Sequence, residues 1–220
     1  MIRTLPRVIA EPAGKPVPEG NTDLQRLARQ IATDPTAWTP ELTALITDLF
    51  DRMAPVWDTE HATGRLDFLA DALARGGPLP SGICLELGSG TGQHTPLLAN
   101  AFDHVIAVDL ARQMLTRAPA RLGPRLQADA AHLPLADCSL TAVVCIDALL
   151  FPGEISRVLA ADGVLIWANQ LSADGPLFLD AATVITALDG AWNAVQAEAG
   201  WGSWVVLRRA VGPSGRPSPV

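Results

Sequence analysis

Three glycines at alternate positions follow a short apolar run and a glutamate in Ile83-Cys84-Leu85-Glu86-Leu87-Gly88-Ser89-Gly90-Thr91-Gly92. Glycine tolerates positive φ and carries no side chain to block a ligand. A glycine turn between a buried strand and a helix therefore brings backbone amides close to a bound molecule at the carboxyl end of a parallel sheet. The spacing is E-x-G-x-G-x-G. It is not the dinucleotide pattern G-x-G-x-x-G, whose third glycine would fall on Gln93 when counted from Gly88, and no G-x-x-x-x-G-K-[ST] phosphate loop is present. Glu86 would repel a pyrophosphate and suits a ligand carrying an ammonium or sulfonium group. Two more carboxylates stand at the ends of the next apolar runs. Asp109 closes His104-Val105-Ile106-Ala107-Val108-Asp109, and Asp129 follows Arg125 to Ala128. Asp109 can accept both hydroxyl protons of a ribose, or cap the helix that follows, or do both. Asp129 can accept from an exocyclic amine, or be a solvated loop carboxylate.

These residues resemble the class I S-adenosylmethionine-dependent methyltransferase family, especially its small-molecule branch, over about Ile46 to Leu171. The resemblance implies S-adenosyl-L-methionine as cofactor and S-adenosyl-L-homocysteine as product. It implies that Glu86, Gly88, Ser89, Gly90 and Gly92 form the cofactor loop, with the methionine moiety and ribose against it. Val108-Asp109-Leu110 with Met114 is similar to the family's second motif, with Asp109 on the ribose hydroxyls and Leu110 against the adenine. Asp129-Ala130 followed by Leu133-Pro134 is similar to the third, with Asp129 on the adenine amine. Cys145-Ile146-Asp147 falls where the fourth strand of the family ends, near the reactive methyl group. Two features depart from the family. The stretch from Asp147 to Glu154 is short, and Asp162-Gly163 stands where a Gly-Gly pair is usual. The segment Phe50 to Asp58 is similar to a cap that closes over the cofactor, with Trp57 in place of the usual tyrosine. Trp57 is then either an aromatic wall beside the sulfonium or ordinary packing.

Methyl transfer from a sulfonium needs alignment of the acceptor more than proton chemistry. A base is required only for an acceptor that arrives protonated. The candidates are His61, Asp58 and Asp147, with His94 and His132 behind them. Trp57, His61, Leu150 and Phe151 are the acceptor-side candidates. The nucleic-acid amino-methyltransferases carry Asp or Asn followed by Pro-Pro and an aromatic after strand four, whereas this chain reads Asp147-Ala148-Leu149-Leu150. Net charge is -7 with no basic stripe, which also argues against a nucleic-acid partner. The expected partner is a small-molecule methyl acceptor, with no metal, and the chain a monomer or homodimer.

The elements that must position these residues follow from periodicity. Apolar runs at Ile83 to Leu87, Val105 to Val108, Arg125 to Ala128, Leu140 to Ile146 and Val164 to Ala168 alternate with helical stretches at about 95–101, 111–118 and 153–159. That pattern predicts an α/β fold, a Rossmann-like seven-stranded, mostly parallel sheet with helices on both faces. A helix over about Pro176 to Leu188 precedes two last strands, Ala194 to Ala199 and Trp204 to Arg209. They are joined by only four residues, so the final strand must be antiparallel. Before this core, residues 21–79 read as a helical cap, with Leu24, Leu27, Ala28 and Ile31 on one face of the first helix. Thr39 and Pro40 start a second, in which Phe50 and Met53 are expected in the core. A third helix stops at Gly76-Gly77. Residues 1–20 read as a flexible arm, 80–211 as the core and 212–220 as a disordered tail. No apolar run approaches the ~20 residues needed to span a bilayer. The odd, unclustered Cys84, Cys138 and Cys145 suit a reducing compartment, so a cytoplasmic protein is expected. Two other classes share features with this reading: a non-catalytic cofactor-binding module, and an NAD(P)-dependent oxidoreductase, against which Glu86 and the misplaced third glycine count.

Overall fold

A computed structural model of the chain describes residues 1–18, 21–61, 63–120 and 123–210. The tail expected over 212–220 lies outside the described residues. The strands are β1 (Ile2–Thr4), β2 (Ile83–Leu87), β3 (His104–Asp109), β4 (Arg125–Gln127), β5 (Leu140–Ile146), β6 (Leu159–Asn169), β7 (Trp192–Ala199) and β8 (Gly202–Arg209). They form one sheet in the order β1-β7-β8-β6-β5-β2-β3-β4. All neighbours pair in parallel except β6 with β8 and β7 with β8. The last strand is therefore antiparallel, as its short link, only Gly200 and Trp201 in the structure, requires.

Continuous apolar strands imply cover on both faces, and β5 shows it. Val143 and Cys145 pack into one cluster with Ile155, Val158 and Val184. Ala142, Val144 and Ile146 pack into the other with Phe68, Leu69 and Leu98. The covering helices are α3 (Asp67–Arg75) and α4 (Thr95–Ala99) on the second face, and α1 (Asn21–Thr33), α6 (Pro152–Val158) and α7 (Ala181–Ala187) on the first. Two helices remain, α2 (Pro40–Met53) and α5 (Arg112–Arg117). The Thr39 hydroxyl caps α2 by accepting from the Leu42 amide at 3.3 Å, with Pro40 in the first turn.

Two expectations are corrected. The N-terminal residues are not a loose arm throughout. Ile2–Thr4 adds an eighth strand to the edge of β7, the Leu5 amide continues the ladder to the Gln196 carbonyl, and Arg7 reaches Glu198 and the Gly200 carbonyl. The helix expected from Pro176 begins only at Ala181, because the Asp180 carboxylate caps it by accepting from the Thr183 amide at 2.7 Å. The three C-terminal tryptophans settle apart from the glycine loop. Trp192 and Trp204 are buried, with their indole N–H groups on the Asp189 carbonyl and Asp71, and Trp201 donates to the Pro12 carbonyl.

Candidate active site

The carboxyl ends of β2, β3, β4 and β5 converge on one cleft of about 330 Å³. Its floor is the glycine loop. Gly88, Gly90 and Gly92 have φ of 72°, 54° and 78°, a region that costs other residues about 1–2 kcal/mol each. At Gly88 a Cβ would also stand 3.1 Å from the Ala148 Cβ. The Gly88 and Ser89 amides both donate to the Val108 carbonyl, which ties the loop to the next strand. Ser89 is buried, and its hydroxyl has no hydrogen-bond partner.

Asp109 bridges two backbones. Its Oδ2 accepts from the Gly90 amide and its Oδ1 from the Ala111 amide, each at 2.8 Å. Each oxygen keeps lone-pair capacity toward the cleft, so capping and hydroxyl binding are compatible. Burial raises its affinity for a proton. Asp129 is more fully engaged: the Trp38 indole N–H lies 3.1 Å from both oxygens, the Ala131 amide 2.8 Å from Oδ1, and His132 Nδ1 3.6 Å from Oδ2. The His132 side chain is otherwise exposed and does not line the cleft.

Asp147 sits just past β5 with φ 45° and lines the cleft. Left-handed backbone at a non-glycine residue marks a position held by its surroundings. Both carboxylate oxygens lie 3.3 Å from the Gln170 amide nitrogen, and burial pushes the carboxyl up to about 6. Gln170 is oriented in turn by the Thr63 hydroxyl, which donates to its Oε1 at 2.8 Å. His94 lies at the cleft with its side chain edge-on to Phe68. Burial lowers its pKa to about 4, so it is neutral near pH 7.

The cap closes the cleft from above. Phe50 and Met53, expected in the core, pack half-buried against Ala54, Ala111 and Met114 and also line the cleft with Ile46 and Leu49, and α2 buries no residue fully. Trp57 stacks edge-on against Phe50, with ring centroids 5.8 Å apart, and its Nε1 lies above Gly90. Asp58 is exposed and does not line the cleft. Its Oδ1 accepts from the Thr91 hydroxyl at 2.5 Å and the Gln93 amide at 2.7 Å, so it latches the cap to the glycine loop. Asp51 makes a second latch by accepting from the Gln113 amide.

The structure thus gathers Gly88, Ser89, Gly90, Asp109, Leu110, Met114, Asp129, Ala130, Asp147, Trp57 and Phe151 around one space. Besides Asp58 and His132, it places four others elsewhere. Glu86 is buried behind the loop, where Oε2 accepts from the Thr95 hydroxyl and Oε1 has no partner. Burial raises its pKa to about 7. Gly92 turns the chain beyond the cleft lining, while Cys145 and Leu150 point into the core below it. For Cys145 the reason is alternation along β5: Ile146, one step along, takes the cleft side. His61 ends a turn of π-helix from Trp57, and its side chain lies outside what the structure describes. Trp38 was not foreseen, because nothing local to residue 38 announces a partner at residue 129.

A family described as a methyltransferase domain matches residues 85–167. The fold is also that of solved structures. A Methanococcus maripaludis protein, provisionally described as an S-adenosyl-L-methionine-dependent methyltransferase, is similar at 17% identity over 74% of this chain and 92% of its own, with a TM-score of 0.54. A Haloferax volcanii structure, the complex of the Trm112 methyltransferase activator with a provisionally assigned methyltransferase, is similar at 15% identity over 72% of this chain and 96% of that chain, also with a TM-score of 0.54. No curated protein matches the chain by sequence. Over residues 85–167 the chain is thus similar to a methyltransferase domain, and its fold is that of the two solved structures.

Proposed function

We propose that the protein is an S-adenosyl-L-methionine-dependent methyltransferase acting on an O, N or C atom of a small molecule. One observation carries this reading: the positive-φ glycine loop and the Asp109 carboxylate are tied together at the strand ends, with Asp129 on the adjoining wall of the same cleft. The residues fit the cofactor. Three glycines leave the loop free of side chains, the Ser89 hydroxyl lacks a partner, and Asp109 retains acceptor capacity. Gly88, Ser89 and Gly90 would hold the methionine and ribose portions, Asp109 the ribose hydroxyls, Leu110 and Met114 the adenine faces, and Asp129 with Ala130 its edge. When bound, the cofactor supplies an electrophilic methyl group on a positively charged sulfur.

The chain's own contribution is placement and exclusion of water. The cap wall of Phe50, Met53 and Trp57 covers the loop, and the Asp58 and Asp51 latches hold it there. Asp147, with a carboxyl raised to about 6, is positioned to take a proton from an acceptor that brings one. Glu86 serves from behind the loop by fixing Thr95, not as a direct ligand. Calorimetry with S-adenosylmethionine tests the binding half, with a micromolar dissociation constant expected. Mass detection of methylated products across amines, phenols and carboxylic acids tests the chemistry. NADH binding in place of S-adenosylmethionine would overturn the reading.

A further inference from the structure

The cleft is one-sided in its charge. Among the described residues no lysine or arginine lines it, while Asp109, Asp129 and Asp147 do, and His94 is neutral. With Asp109 and Asp129 given to the donor, an anionic acceptor would meet the Asp147 carboxylate and no lysine or arginine of the cleft lining. The opposite wall is apolar, built from Leu27, Trp38, Phe50, Met53, Trp57 and Phe151.

The three carboxylates are not equally engaged. Asp109 accepts two backbone N–H groups at 2.8 Å. Asp129 is met by the Trp38 indole and the Ala131 amide. Asp147 is met by Gln170 alone, through a backbone amide 3.3 Å from each oxygen and the Gln170 side chain, and by no cation. A carboxylate taken out of water without a cation or strong donors is costly. Its left-handed backbone holds it at the cleft despite that cost. A ligand with a positive nitrogen supplies the missing partner.

From this we infer that the acceptor is an apolar amine, its nitrogen on the Asp147 carboxylate and its body against the cap wall. The proposal rests on the reading of the cleft as a methyl-donor site. In the reaction the ammonium passes a proton to Asp147, the freed nitrogen lone pair forms the new N–C bond, and the electrons of the broken S–C bond stay on sulfur. Gln170, held by Thr63, positions the carboxylate.

The test is binding, so it does not depend on finding the natural substrate. The protein is first loaded with S-adenosylhomocysteine, and the loading is confirmed by calorimetry. It is then titrated with tryptamine, phenethylamine and decylamine, and with indole-3-propanoate, 3-phenylpropanoate and undecanoate as matched anions. Amines are expected to bind at least tenfold more tightly than their anionic partners. In Asp147→Asn that preference should fall below threefold while S-adenosylhomocysteine affinity changes less than twofold. Asparagine adopts positive φ readily, so the variant keeps the local backbone. Equal or tighter binding of the anions, no binding by any amine, or a preference that survives in the variant overturns the inference. So does a variant that loses S-adenosylhomocysteine, because Asp147 would then serve the donor. A wild-type protein that fails to load overturns the underlying reading instead.

Discussion

Asp109 has one observed duty, holding the loop, and one proposed duty, binding ribose, and two measurements can separate them. Its carboxylate holds the Gly90 and Ala111 amides at 2.8 Å. Each hydrogen bond to a charged acceptor contributes about 1.5–3 kcal/mol, and the two share one group, so they are not additive. Asp109→Ala should therefore cost the ligand-free protein about 2–4 kcal/mol, or roughly 5–12 °C in melting temperature for a chain of this size. The ribose duty is read separately, by calorimetry with 5′-methylthioadenosine and its 2′-deoxy analogue. The wild-type protein should prefer the ribo form by about tenfold, equivalent to ~1.4 kcal/mol. Asp109→Ala should bind both analogues weakly and equally, because the partner of the 2′-hydroxyl is gone. A preference that survives intact in the variant would refute the ribose contact and leave Asp109 as a scaffold for the loop. An unchanged melting temperature would refute the scaffold half, whatever the ligand data show.

Two further outcomes follow from the carboxylates that turned away from the cleft. Burial raises Glu86 from 4.5 to about 7, so the folded protein binds a proton that the unfolded chain releases. The associated stability is fully present below pH 4.5 and is lost as pH rises through 7, amounting to about 3 kcal/mol. Urea midpoints at pH 5 and pH 8 should therefore diverge more for the wild-type protein than for Glu86→Gln, and parallel pH dependences would contradict the assignment. Asp58→Ala releases the Thr91 and Gln93 contacts. It should weaken S-adenosylhomocysteine binding roughly three- to tenfold, on the scale of one or two ordinary hydrogen bonds, with faster amide exchange across residues 40–61. Unchanged affinity together with unchanged exchange would show that the cap does not depend on this latch.

The sheet was legible because its strands are buried on both faces, which writes them as unbroken apolar runs. Ile83–Leu87 and Leu140–Ile146 match the expected boundaries residue for residue. Strand β1 was not legible. Its three residues are exposed and owe their conformation to the free edge of β7, which the local sequence does not record. The apolar stripe on α2 misled for a different reason. Ile46, Leu49, Phe50 and Met53 recur at helical spacing whether the face they share meets a core or a cleft, and here it lines a cleft while Phe50 and Met53 also pack on Ala54, Ala111 and Met114.

The site shows the same division at the level of single carboxylates. An acidic residue at the end of a buried strand can be read from sequence, and Glu86, Asp109, Asp129 and Asp147 all lie at or just past such ends. Where each one points is decided by partners far along the chain. Thr95 turns Glu86 beneath the loop, Trp38 covers Asp129 across 91 positions, and Gln170, 23 positions away, leaves Asp147 only loosely held. Spacing therefore picked out the carboxylates at the strand ends, but could not rank them. The ranking comes from asking which residues each already meets, and Asp147, held by Gln170 alone, is the one the proposal leaves to an acceptor.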